Sequence, residues 1–76
     1  MDFKMIQQAV LEGDAERVEE LTELALREEI APQQIIDRGY NPAMAEAGIQ
    51  MKTGEMFVPE VLMASRAMQA GLAVLE

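Results

Sequence analysis

Hydrophobic residues recur along this chain at helical spacing from end to end, and nowhere do they alternate as strand residues do. Phe3, Ile6, Ala9 and Val10 form the first stripe, behind Asp2, whose short carboxylate suits an N-cap. The spacing predicts a helix over Phe3 to Glu12, closed by Gly13 where a left-handed backbone is wanted. Asp14 repeats the capping signal for a second helix, Ala15 to about Glu29. There Val18, Leu21, Leu24 and Ala25 share one face, Leu26 borders it, and Glu16, Glu19, Glu20, Glu23 and Arg27 take the rest. Pro32 at a first helical position opens a third segment that carries Ile35 and Ile36 inward and stops near Gly39. In "GYNPAM", Asn41 as cap and Pro42 at the next position predict a break and a fourth helix, Pro42 to Lys52. The alternative is one long helix kinked at Pro42. Gly54 ends that segment, and a last helix runs from Val58 or Pro59 to about Leu75. Short connections make sequential helices neighbours. The expected fold is all-α, a compact bundle of four to five short helices in a single domain spanning 1–76.

The last helix breaks the amphipathic rule that the second obeys. Val61, Leu62, Ser65, Met68, Leu72 and Leu75 spread over one wide arc, while Met63, Ala67, Ala70 and Val74 fill the opposite side. Glu60, Arg66, Gln69 and Glu76 do not gather into a polar face. A helix apolar on both sides is buried on both sides. One side can meet the bundle; the other needs either a central place in the fold or a client from outside. Met44, Met51, Met56, Met63 and Met68 all fall in the second half of the chain. Flexible thioethers fill cores and also mould to apolar partners. Gly48, inside the fourth helix between Met44 and Met51, is expected to mark close packing of two helices, the other reading being room for a flat ligand.

Composition narrows the chemistry. With 14 acidic and 6 basic residues the net charge is −8, which repels nucleic acid and anionic membranes. Cysteine and histidine are both absent, which removes disulfides, thiolate chemistry, soft metal sites and histidine acid–base catalysis. Only Phe3, Tyr40 and Phe57 are aromatic, so the expected core is aliphatic and thioether. No apolar run approaches a membrane span and no signal-peptide pattern opens the chain, which makes the cytoplasm the expected compartment.

The stretches "GDAERVEELTELAL", "APQQIIDRGYNPAMAEAGIQMKTGEMFVPEVLMASRAM" and "GLAVLE" resemble the N-terminal helical cap module of cobalamin-binding proteins. That module occurs in cobalamin-dependent methionine synthase and in the small corrinoid proteins of methanol, methylamine and methoxy-compound methyltransferase systems. The resemblance covers about Leu11 to Glu76 and is most specific in "GIQMKTGEMFVPEV". It implies a bundle that lies over the upper, methyl-bearing face of a corrinoid cofactor. Large apolar residues before "x-x-G" and within "F-L/V-P" press on that face in the family; here they are Met51 and Val58, with Val61 and Leu62 one turn later. Met51 stands where the family often has an aromatic. The resemblance implies as partners a C-terminal Rossmann-like cobalamin-binding domain, whose histidine ligates cobalt from below, and methyltransferase subunits. This chain has no histidine, so that domain is expected to lie outside it, the chain being an excised module.

Three functions compete. The first is a non-catalytic cap that shields cobalamin during methyl transfer, with self-association of the isolated domain through its uncovered face. The second is an interaction domain that docks an amphipathic partner helix in a Met-rich groove. The third, a carboxylate enzyme built on Glu55 and Glu60, is weakest, because Glu60 in the first turn of a helix is explained by the helix dipole.

Overall fold

A computed structural model describes all 76 residues. It contains α1 (Phe3–Leu11), α2 (Ala15–Arg27), α3 (Pro32–Ile35), a wide π-helical turn (Ile36–Tyr40), α4 (Asn41–Thr53) and α5 (Val58–Leu75), and no strand. The local start and stop signals act as expected. Asp2 accepts from the Lys4 amide and Asp14 from the Arg17 amide, at 2.9 and 3.1 Å. Gly13 and Gly54 turn the chain with φ of 70° and 82°.

The expected break at Pro42 is absent. Tyr40 and Asn41 both keep right-handed helical dihedrals, so α3, the π turn and α4 run on as one rod. Proline has no N–H to give the carbonyl four residues back, and its ring presses on that carbonyl. The helix widens by one residue just before Pro42, and the Asn41 N–H donates to the Ile36 oxygen instead. The freed carbonyl of Arg38 takes a hydrogen bond from Gln7 Nε2 of α1 at 2.7 Å. A side chain 31 residues away in sequence thus removes the orphan acceptor that would have made a break preferable.

The π turn places Gly39 and Tyr40 inside, where Gly39 packs on Ile6. The core gathers Ile6 and Val10 of α1, Val18, Leu21 and Ala25 of α2, Ile35 of α3, Ala43 and Ala47 of α4, and Ala64 and Ala67 of α5, around the fully buried ring of Tyr40. The aliphatic and thioether expectation is therefore corrected: an aromatic ring sits at the centre, and Met56 is the one methionine buried with it. Tyr40 also explains why Thr22, not Leu24, completes the inner face of α2. The two hydroxyls share a hydrogen bond at 2.5 Å, so neither is buried unpaired. Leu24 is left 40% exposed. Burial pushes the Tyr40 phenol above its ordinary value, and the bond to Thr22 draws it partly back.

α5 packs most extensively along α2. Its buried face is made of Ala64, Ala67 and Gly71, with Val61, Met68, Leu72 and Leu75 packed half-buried beside them. This replaces the two arcs expected from the sequence, which set Ala67 opposite Met68. Small side chains let the helices close up. A methyl group on Gly71 would overlap the Tyr40 hydroxyl and come within 2.8 Å of Val18 Cγ1. The expectation for Gly48 is reversed: apart from its own stretch of helix backbone, no atom lies within 4 Å of where its side chain would be, so no other helix packs there.

Candidate functional site

The four candidate residues lie where α4 ends and α5 begins. Gly54 reverses the chain, and the amides of Glu55 and Met56 both donate to the Gln50 carbonyl, at 2.8 and 3.0 Å. Met56 is buried below them and anchors the turn. α5 then starts without a side-chain cap from Phe57. In place of one, the Phe57 N–H donates to Glu60 Oε1 at 3.0 Å, which also sets a carboxylate at the positive end of the helix.

Around this turn the usual relation between size and burial is inverted. Met51 is 45% exposed, Val58 60% and Leu62 55%. Val58 and Leu62, four residues apart, share a face of α5. Val61 differs: it is half-buried and rests against the core, holding the helix from which its neighbours project. Phe57, 67% exposed, is more open than any other large apolar residue here, and Ile49 on α4 is also exposed. Neither was singled out from the sequence. The signal for Phe57 was an aromatic at a cap position that normally carries a hydrogen-bonding side chain.

The methionines do not combine into one groove. Met56 is buried, Met44 and Met68 are half-buried, and Met51 and Met63 are exposed. The cleft beside Met56 and Met63, about 400 Å³, is rimmed by Glu12, Glu55 and Glu60 together with Gln8 and Gln50. Glu12 already accepts from Gln8, and Glu60 from the Phe57 amide. A lining this polar suits water better than the apolar side of a partner helix. No group of three histidine, cysteine, aspartate or glutamate side chains could hold a metal ion, and no helix is long and apolar enough to cross a membrane.

Comparison with known proteins matches residues 3–76 to the family model described as the B12 binding domain. A corrinoid protein of Desulfitobacterium hafniense is 37% identical over 71 residues, which is 93% of this chain and 33% of that protein. The dimethylamine corrinoid protein 3 of Methanosarcina acetivorans is 38% identical over 68 residues, 90% of this chain and 32% of its own length. The trimethylamine corrinoid protein of Methanosarcina barkeri is 37% identical over 68 residues, 90% of this chain and 31% of its own. The chain thus spans about a third of the length of these curated relatives. No solved structure matches it.

Proposed function

The chain belongs to the B12 binding domain family, and from that premise we propose that it is a helical lid over the upper face of a corrinoid cofactor in a methyltransferase system. The observation that carries this reading is the exposed apolar group of Met51, Val58 and Leu62 at the junction of α4 and α5. These side chains are not needed by the core, and their chemistry suits the role. Aliphatic and thioether groups exclude water while offering at most a weak ligand. The chain has no imidazole or thiolate to compete for a metal from above, and by the same token cobalt would be held from elsewhere.

When bound, the corrinoid supplies the methyl-carrying chemistry. The residues of this chain press on its face, keep water off it and leave catalysis to partner methyltransferases. Val61 and Met56, packed inward, hold the covering side chains in place. Covering ~100 Å² of apolar surface is worth ~2.5 kcal/mol, a hold weak enough for a lid that must lift at each transfer. Left uncovered, the same residues give isolated chains a surface through which to pair.

The test is a chimera in which this chain replaces the matching segment of the Methanosarcina barkeri trimethylamine corrinoid protein. With the cofactor loaded and reduced, Val58→Asp and Leu62→Asp are expected to speed its reoxidation by dissolved oxygen at unchanged cofactor content. Equal rates in parent and variants would reject the lid.

A further inference from the structure

Four of the five glycines have a reason inside the fold. Gly13 and Gly54 adopt left-handed backbone, Gly39 is pressed against Ile6, and Gly71 against Tyr40 and Val18. Gly48 has none. It lies in the middle of α4, and a side chain there would meet open space. A glycine in a helix interior is destabilising relative to alanine, so this position weakens the helix without improving any internal contact.

The place of Gly48 indicates what the gap accommodates. Met44 lies four residues before it and Met51 three after, so all three share one face of α4. Met44 is half-buried and Met51 is exposed, and Met51 also belongs to the apolar group at the α4–α5 junction. The notch is therefore continuous with the proposed lid face. Its two ends are about 10 Å apart along the helix, at 1.5 Å per residue. A partner helix about 10 Å across, lying along α4, would collide with both methionines. A thin, rigid plate entering edge-on would not.

We propose that Gly48 is a ligand contact: the notch between Met44 and Met51 receives the edge of the corrin ring against the bare backbone of α4. The inference rests on the lid reading and adds a residue that sets how close the ring can come. A methyl group at this position projects about 1.5 Å from the backbone. Lifting a rigid ring by even ~1 Å forfeits roughly half of each dispersion contact it makes with the lid. Gly48→Ala then has opposite effects on folding and on binding, which no purely structural role of the residue would produce.

The experiment is amide NMR on the chimera and its Gly48→Ala variant, each cofactor-free and loaded with methylcobalamin, alongside thermal melts of the 76-residue chain with and without the same substitution. The expected result has three parts. On loading, the Gly48 amide shifts together with those of Met51, Val58 and Leu62. In the 76-residue chain Gly48→Ala melts roughly 4 °C higher, because alanine costs the unfolded chain some of its freedom at a site with room for the methyl. In the loaded chimera the same substitution lowers the ratio of closed to lifted lid at least about fivefold, read as smaller shifts at Met51, Val58 and Leu62. If Met51, Val58 and Leu62 shift but Gly48 does not, or if the Gly48→Ala chimera keeps the parent's shifts at these three, the notch proposal is overturned and the lid reading stands. If none of the four amides shifts in the loaded chimera, the lid reading fails and takes the notch with it.

Discussion

α2 and α5 lie against each other, yet they are built on opposite plans. α2 buries Val18 and Leu21 and turns Glu16, Glu20 and Glu23 to water. α5 buries Ala64, Ala67 and Gly71 and turns Val58, Leu62 and Met63 outward. Folding alone accounts for α2, since its large side chains provide most of its burial and its charges keep it solvated. Folding accounts for only the inner side of α5, where small residues allow close approach to Tyr40 and Val18. The outer side exposes large apolar groups that a free-standing bundle would replace with polar ones. The difference between two helices in contact separates what the chain needs to fold from what it carries for something else.

That contrast breaks if leucines on the two helices matter equally to stability. Leu21→Ala is expected to cost about 3 kcal/mol in urea denaturation, since a buried leucine leaves a cavity. Leu62→Ala is expected to change stability by less than about 0.5 kcal/mol. Comparable losses would mean that Leu62 is part of the core. On the inner side of α5, Gly71→Ala should destabilise by about 2 kcal/mol through overpacking against Tyr40 and Val18, the reverse of the gain expected at Gly48. A neutral Gly71→Ala would show that α5 does not lie this close to α2.

Among the inward-facing positions, the smallest expected loss is at the polar pair beneath these helices. Tyr40→Phe should cost about 1 kcal/mol by leaving the Thr22 hydroxyl buried without its partner. Because burial raises the folded-state pKa of Tyr40 above 10.0, the neutral phenol is favoured in the fold. Its contribution is complete below that value and is lost as the pH rises through the raised one, since the unfolded chain releases the proton first. The urea midpoint should therefore fall in alkaline solution above pH 10.0 in the parent, and the fall should be shallower in Tyr40→Phe. Identical pH profiles would remove Tyr40 from the account.

Much of the fold was legible from short-range signals. Asp2, Asp14, Gly13 and Gly54 punctuate the helices through contacts with residues close in sequence, so the chain's own spacing reveals them. A helix continuing through Pro42 was legible only as the alternative to a break, because the choice depends on Gln7 reaching the Arg38 carbonyl from another helix. Thr22 was missed for the same reason: its partner, Tyr40, lies 18 residues on. The lining of the candidate site was partly legible. Met51, Val58 and Leu62 stand in a run whose resemblance named them, and their exposure is compatible with a contact surface. Which side of α5 faces inward could not be read from its pattern, since alanine and glycine give little hydrophobic signal and become the buried face only because α2 and Tyr40 demand small neighbours.

The central claim is that the large side chains on the outer side of α5 are there to meet a corrin ring. A crystal structure of the cofactor-loaded chimera measures this directly. The account predicts side-chain carbons of Val58 and Leu62 within about 4.5 Å of the ring, the distance of apolar contact. A structure in which both residues face solvent or a second protein chain, with the ring covered by other residues, would contradict it.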